Sequence, residues 1–134
     1  CVGVNGGAQV PRDIMMDDGR RACEVYANLR AYLWDGVLGE RLRRTHEAAG
    51  APPYEPVKLL SLPDDPQLQV ELSVPLRRTS TDGRSRIEAK AEMVVRGVES
   101  PHRADALAYS FAPMPAPYAR PGAGRMDRLP DWAR

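Results

Sequence analysis

Asp105 is the residue whose type and setting most call for an explanation. Its neighbours are small or apolar: Ala104, Ala106, Leu107 and Ala108. The residues alone leave two interpretations open. The carboxylate could face solvent, or pair with Arg103 or another arginine nearby. It could instead be a ligand of a hard divalent cation such as magnesium, which proteins hold through one or two carboxylates together with substrate phosphate oxygens.

A second candidate site is a set of basic residues in the segment 77–90, which only Asp82 and Glu88 interrupt. Alternate residues of a β-ribbon share a face, so Arg84 and Arg86 are expected to point together, with Arg77 or Arg78 beside them. Such a stripe suits phosphate contacts, which supply affinity without reading base sequence. An alternative interpretation is a charged edge that resists aggregation. The basic residues of the set are Arg77, Arg78, Arg84, Arg86 and Lys90.

Composition and spacing exclude several other chemistries. Two cysteines and two histidines are too few for a disulfide framework or a zinc site. Ser100, His102 and Asp105 lie along about one helical turn and point in different directions, whereas the partners of a hydrolase triad converge from separate elements. The formal charge of +1 over 134 residues neither favours nor opposes a polyanionic partner.

The length predicts one domain, and no stretch of the chain resembles a membrane helix or a signal peptide. A cytosolic protein is therefore the default expectation.

The strongest periodic signal covers residues 21–44 and predicts one amphipathic helix. Its apolar stripe consists of Ala22, Val25, Tyr26, Leu29, Leu33 and Val37. Gly36 and Gly39 would each weaken its end by about 0.5–1 kcal/mol relative to alanine. Before it, residues 1–5 are expected to form an interior strand and residues 11–19 a loop. Because chains seldom begin in mid-strand, we expect a C-terminal piece of a longer protein, and a processed N-terminus is the alternative.

Capping and turn residues mark the shorter elements. Four prolines make residues 51–63 an extended connection. Asp65 before Pro66 predicts the start of a helix that ends at Pro75. Asp82-Gly83 predicts the turn of a β-hairpin, made of residues on either side of it.

The last part of the chain predicts two helices and a tail. Residues 90–96 should form a brief helix that Gly97 stops. Ser100 should cap a final helix that starts at Pro101 and buries one side, formed by Ala104, Leu107, Ala108 and Phe111. The proline-rich residues 113–134 are expected to be a disordered or draped tail beyond a folded unit of residues 1–112.

Four segments together resemble a known family. Residues 97–112 contain Ser-Pro-His-Arg-Ala-Asp-Ala-Leu, and residues 28–34 read Asn-Leu-Arg-Ala-Tyr-Leu-Trp. Residues 65–72 form the short predicted helix, and residues 83–90 with Arg96-Gly97 form the hairpin and a lysine-containing segment. In this order they resemble the nuclease domain of phage terminase large subunits, with its Asn-x-Arg-Ala-x-x-Trp helix and its C-terminal Ser-Pro-Asp-x-x-Asp-Ala-Leu helix. His102 departs from that pattern, since the family usually has aspartate there.

The resemblance implies a fold and an incomplete metal site. The fold class would be α+β, derived from α/β: a partial ribonuclease H-like nuclease domain with a β-hairpin and a C-terminal helix. Three acidic residues of that fold bind two divalent ions, Mg2+ or Mn2+, and Asp105 would be the last of them, a catalytic and metal-binding residue. Residues 1–5 would be the final core strand, so the first core strands, with the first two acids, would precede residue 1.

The resemblance also implies a function. The whole protein would be a DNA-packaging endonuclease that cuts concatemeric double-stranded DNA in the cytoplasm of a phage-infected or prophage-carrying host. The hairpin arginines and Lys90 would hold the duplex, and the small terminase subunit and the portal would be further partners. One alternative is a catalytically inactive DNA-binding or assembly module, and another is a purely structural α+β fragment. Self-association is a further expectation, because missing central strands would expose apolar helix faces.

Overall fold

The computed structural model describes residues 3–49 and 59–113. Helices predominate in these ranges, and the only sheet within them is a two-stranded antiparallel one. The elements in chain order are α1 (Ala22–Val25), α2 (Leu29–Ala31), a π-helical segment (Tyr32–Gly39), α3 (Glu40–Ala48), α4 (Pro66–Ser73), β1 (Arg77–Thr79), β2 (Ser85–Ile87), α5 (Lys90–Val95) and α6 (His102–Tyr109). α2, the π-helical segment and α3 follow one another without a break and are called the long helix below.

The single helix predicted over residues 21–44 is wrong between Tyr26 and Asn28. α1 ends at Val25, and both Tyr26 and Asn28 have extended backbone angles. The reason is that this stretch pairs with β2: Tyr26 forms a parallel bridge with Ser85, and the Ala27 amide donates to the Ser85 carbonyl at 2.8 Å. The Asn28 side chain then accepts a hydrogen bond from the Ala31 amide at 2.9 Å and starts the long helix as its N-cap.

The opening segment is not a strand where it is described. Cys1 and Val2 lie outside the described residues, and residues 3–5 are irregular. The residues that follow bind the long helix. The backbone carbonyls of Gly6 and Ala8 accept hydrogen bonds from the amides of Arg30 and Leu29, at 2.9 and 2.8 Å. These amides have no partner inside the helix, so the opening segment satisfies the first turn of the long helix.

The elements predicted from caps and turns are confirmed. Asp65 is the N-cap of α4, and its side chain accepts from the amides of Gln67 and Leu68. The hairpin turn contains Gly83 in the left-handed region, with φ of 82°. α5 is followed by Gly97, whose φ of 76° lets the chain leave the helix. The predicted loop over residues 11–19 also contains turns and no helix or extended strand.

The apolar core forms where the long helix, α4 and α6 meet. Its buried members are Leu33, Trp34, Leu38, Leu68, Ala104 and Ala108. A second cluster of Val10, Ala22, Tyr26 and Ala31 holds α1 and the preceding loop against the start of the long helix. Small alanines on α6 let it approach the long helix closely, which brings Asp105 against that helix.

The predicted cap of α6 is wrong. The hydroxyl of Ser100 is buried without a hydrogen bond, and Pro101 occupies the N-cap position. The acceptor comes instead from α4, because Glu71 Oε2 accepts from the amides of Arg103 and Ala104 at 2.7 and 3.1 Å. A carboxylate at this end of a helix is also favoured by the helix dipole.

Two sequence predictions lie largely outside the described residues. Residues 51–58 of the predicted extended connection and residues 114–134 of the predicted tail belong to the parts that are not described. No helix within residues 3–49 and 59–113 is long and apolar enough to cross a membrane.

Replacing Glu71 by alanine should destabilise the fold by about 1 kcal/mol, because two amides at the start of α6 lose their acceptor. Urea unfolding measures this change. Glu47→Ala removes an exposed glutamate of α3 that pairs with Arg43 on the same helix, and should cost less than about 0.5 kcal/mol. Equal losses for the two variants would contradict the capping role of Glu71.

Candidate functional site around Asp105

Asp105 is buried, with 3% of its surface exposed. The interpretation of an ordinary solvent-facing aspartate is therefore wrong. Arg103 does not pair with Asp105 either, because its side chain forms an ion pair with Asp65. A buried carboxylate needs hydrogen bonds or a countercharge, and its donors come from distant parts of the chain.

Two donors converge on one oxygen of Asp105. Arg30 Nε donates to Oδ1 at 3.1 Å and Trp34 Nε1 donates to the same atom at 2.8 Å. The other oxygen, Oδ2, accepts no hydrogen bond. Lys90 Nζ lies 3.1 Å from Oδ2 and forms an ion pair with it, but the angles are not those of a hydrogen bond. Oδ1 therefore accepts both hydrogen bonds of the carboxylate, and Oδ2 has only the ion pair with Lys90.

The spacing of Asn28, Arg30 and Trp34 explains this arrangement. Asn28 starts the helix, and residues four apart share a helix face, so the side chains of Arg30 and Trp34 lie next to each other. The Arg30 guanidinium carbon is 5.6 Å from the centre of the Trp34 ring. The sequence analysis gave neither Arg30 nor Trp34 a separate role, although the segment that carries the family resemblance contains both residues and was the signal for this pair.

Arg30 also ties the site to the hairpin. Its Nη1 donates to the backbone carbonyl of Glu88 at 2.7 Å, just before α5 and Lys90. Tyr109 also lies close to this site. Burial raises the pKa of the tyrosine, and the negative charge of Asp105 raises it further. Gly6 fits here because it lacks a side chain, since a Cβ atom would collide with the Tyr109 hydroxyl.

Glu88 is a second buried carboxylate that sequence reasoning missed. It is 1% exposed and accepts from Arg96 Nη2 at 2.6 Å and from the Leu76 amide at 3.2 Å. The Arg96 hydrogen bond holds the pKa of Glu88 below its ordinary value. In the sequence it looked like an interruption of the basic hairpin, and only its packing shows that it anchors the end of β2.

The strand register decides which basic residues share a face. Arg78 pairs with Arg86 across the hairpin, so these two side chains lie on the same face. Arg77 pairs with Ile87 and belongs to the opposite face. Arg84 precedes β2. Its side chain contacts Asp82 and the Cys23 carbonyl, whereas that of Arg86 contacts Glu92.

Each basic residue of the predicted DNA-binding set has an acidic partner. The tight pairs are Arg84 with Asp82 at 2.6 Å and Arg86 with Glu92 at 2.7 Å. The Arg86 contact lowers the pKa of Glu92 to about 2. These two arginines help to hold the turn and the hairpin end in place, in addition to any role in binding.

The other two hairpin arginines have longer ion pairs, and Arg77 Nε also donates a hydrogen bond to Ser85 Oγ at 3.0 Å. Arg77 lies 3.4 Å from Asp35, and Arg78 lies 3.9 Å from Glu88. Their side chains are 65% and 49% exposed. Arg77 and Arg78 are therefore the hairpin arginines that solvent, or a phosphate, can reach most easily.

The described residues offer a single carboxylate at this site rather than a full set of metal ligands. No group of three or more histidine, cysteine, aspartate or glutamate residues within residues 3–49 and 59–113 could hold a metal ion. Asp105 Oδ2, buried and without a hydrogen bond, fits a single ligand position. His102 is exposed at the start of α6, and Asp105 is engaged by Arg30 and Trp34, so the hydrolase triad stays excluded.

Comparisons with known proteins identify the fold. No family model and no curated protein matches the chain. Among solved structures, the nuclease domain of the large terminase subunit gp2 of bacterial virus Sf6 matches with a TM-score of 0.73 and 25% identity, over 82% of this chain and 52% of that chain. A mutant of that domain with manganese and beta-thujaplicinol matches with a TM-score of 0.74 and 24% identity, over 84% and 53%. A mutant of gp2c from the same bacteriophage with calcium gives 0.70 and 25%, over 81% and 51%.

The chain spans about half the length of the solved domains that it matches. The resemblance to terminase large-subunit nuclease domains is confirmed, and so is the expected fold class, a partial nuclease domain of mixed helix and strand.

Glu88 should make stability depend on pH. Its pKa is lowered in the folded state, so its contribution is present above its ordinary pKa of 4.5 and is lost as the pH falls through the folded value. Glu88→Gln should lower the free energy of unfolding at neutral pH, because Arg96 loses a charged acceptor. Denaturant unfolding at several pH values should show this cost shrinking as the solution is acidified. A cost that is the same at all pH values would contradict the ionised Glu88–Arg96 pair.

Proposed function

We propose that this chain forms part of the nuclease of a viral DNA-packaging terminase large subunit, and that Asp105 is one of its metal ligands. The observation that carries the proposal is a buried aspartate on the last helix of a terminase-type nuclease fold, with one oxygen free of hydrogen bonds. The relatives with manganese and calcium in their structures support a divalent cation as the group it would bind.

The surroundings of Asp105 suit a cation at Oδ2. Arg30 and Trp34 occupy Oδ1, so the carboxylate is held without using Oδ2. Lys90 is the cation that now neutralises Oδ2, and its side chain is 52% exposed, so it can move away into solvent. A pair of bound Mg2+ or Mn2+ ions would supply a metal-bound hydroxide and would stabilise the attacking and leaving oxygens of a phosphodiester.

One carboxylate cannot hold two ions, so the remaining ligands would have to come from outside the described residues. The matched domains are about twice as long as their aligned part, which leaves room for two further acid-bearing strands. Cutting of concatemeric double-stranded DNA is therefore proposed for the complete nuclease domain, with this chain contributing Asp105 and the hairpin.

The hairpin is the surface that we propose for DNA. Arg77, Arg78, Arg84, Arg86 and Lys90 lie on or next to it. Arg78 and Arg86 share a face, while Arg77 and Arg78 have the weakest ion pairs. Exchanging Asp35 for a phosphate should cost Arg77 little, since exposed ion pairs contribute at most about 1 kcal/mol, and the contact of Arg78 with Glu88 is longer still, at 3.9 Å.

The remaining partners and the location rest on the resemblance alone. We propose the small terminase subunit and the portal as assembly partners, and the bacterial host cytoplasm, in infection or from a prophage, as the place of action. Self-association of the isolated chain stays a proposal of the same kind. The alternative function, a catalytically inactive DNA-binding or assembly module, would keep the hairpin and α6 without a use for Oδ2.

The 134-residue chain alone should not cut supercoiled plasmid in Mg2+ or Mn2+, because its described residues supply a single carboxylate to the site. In a longer form that carries the other half of the domain, metal-dependent cutting should appear, and Asp105→Asn should abolish it. Agarose gels of nicked and linear plasmid measure both reactions. Metal-dependent cutting by the longer form that survives Asp105→Asn would contradict the proposed role, and cutting by this chain alone would mean that its ligand set is complete.

Arg77→Ala with Arg78→Ala should weaken binding to duplex DNA. The slope of log affinity against log salt should also become shallower, by about one unit for each phosphate contact that is lost. Fluorescence anisotropy across a salt series measures both. The control, Arg12→Ala with Arg43→Ala, removes the same charge from exposed positions elsewhere. If the two double variants behave alike, the hairpin charges serve only to resist aggregation.

A further inference from the structure

Arg30 contacts the Asp105 carboxylate through a single nitrogen. Such pairs are frequently bidentate, with two guanidinium nitrogens on the two carboxylate oxygens. Here only Nε reaches Asp105, at Oδ1, while Nη1 donates to the Glu88 carbonyl at 2.7 Å. Arg30 is thus divided between two acceptors, and Oδ2 is left out of the pair.

Packing fixes Arg30 in this divided position. Its backbone amide donates to the Gly6 carbonyl, and its side chain is only 11% exposed. A Cβ atom on Gly6 would lie 3.2 Å from the Arg30 Cβ, so the absence of a side chain there lets the opening segment close over the arginine. The Trp34 ring lies on another side, 5.6 Å away. The direction from which Arg30 approaches Asp105 is therefore set by its neighbours.

Trp34 adds a second donor to the same oxygen. Trp34 is 7% exposed, and a buried indole N–H needs an acceptor. It finds Asp105 Oδ1 at 2.8 Å, the shorter of the two hydrogen bonds there. Two donors from one helix face on a single oxygen restrict the rotation of the carboxylate about its Cβ–Cγ bond.

We propose that Arg30 and Trp34 are positioning residues that hold Asp105 by Oδ1 and so present Oδ2 as the one oxygen a divalent cation takes. This inference rests on the proposed function of Asp105 as a metal ligand and adds the residues that orient it. Hydrogen bonds behind a metal ligand typically change metal affinity by 10–100-fold.

The two positioning residues are not equivalent as tests. Arg30 is positively charged, so removing it alters the electrostatic potential at the site as well as the orientation of the carboxylate. Trp34 is neutral, and Trp34→Phe removes the N–H while it keeps most of the ring in the core. A change in cation affinity in Trp34→Phe therefore reports on orientation without a change in charge.

The test is a Mn2+ titration of the full chain, followed by paramagnetic broadening of the backbone amide signals of Ala104 and Ala106. Wild type should show binding that Asp105→Asn removes. Trp34→Phe should bind Mn2+ about 10-fold more weakly than wild type. Leu38→Val is the matched control: Leu38 is buried in the same cluster as Trp34, so this variant disturbs the core without touching Asp105 and should keep the wild-type affinity. Melting temperatures establish that all variants are folded at the titration temperature.

A second measurement needs no variant of the tryptophan. In wild type the Trp34 indole N–H should exchange slowly with solvent, and saturating Mg2+ should leave that exchange slow, because Oδ1 keeps its donors when a cation binds Oδ2. Faster exchange with Mg2+ would overturn the inference. This exchange rate can be measured on wild type even if Trp34→Phe does not fold.

The outcomes separate the two proposals. Broadening that is equal in wild type and Asp105→Asn would mean that Asp105 binds no cation, which overturns the proposed metal role and the inference with it. Asp105-dependent binding with the same affinity in wild type and Trp34→Phe would overturn the positioning role alone. Equal weakening in Trp34→Phe and Leu38→Val would assign the effect to the core and would also overturn it.

Discussion

The charge of a buried carboxylate constrains the whole arrangement of this chain. Asp105 is almost fully removed from water, and an ionised group there is tolerated only with donors and countercharges. Arg30 and Trp34 come from the long helix, and Lys90 comes from the start of α5. Because all of them reach α6, this one side chain links the long helix, the hairpin end and α6, in addition to the apolar core that packs the long helix against α6.

A second buried carboxylate extends this ionic layer into the hairpin. Glu88 is compensated by Arg96, and its own carbonyl is the second acceptor of Arg30. The hairpin is therefore connected to the Asp105 site through buried contacts as well as through the chain. Its basic residues combine two roles: Arg84 and Arg86 are held tightly by acids, whereas Arg77 and Arg78 are more exposed and more weakly paired.

The likeness to terminase nuclease domains gives this layer a functional setting. The chain aligns with about half of the Sf6 domain, and its described residues supply one candidate ligand. A two-ion centre would thus join ligands from two halves of a domain. Holding the ligand on this half in a fixed orientation, by contacts internal to this half, would let the site form when the other half is in place.

What the sequence alone determined was local. Asp65 with Pro66, Asp82-Gly83 and Gly97 mark a helix start, a turn and a helix end correctly, because caps and turns depend on backbone groups a few residues away. The resemblance pointed to the right fold family and singled out Asp105.

Tertiary structure decided the rest, because the decisive contacts join residues far apart in the chain. Pairing with Ser85 interrupts the single helix predicted over residues 21–44 at Tyr26, although the apolar period of the sequence continues through that residue. Glu71 replaces Ser100 as the cap of α6. The donors to Asp105 lie 71 and 75 residues before it, so no local pattern could reveal that this carboxylate is buried, or which of its oxygens accepts the hydrogen bonds.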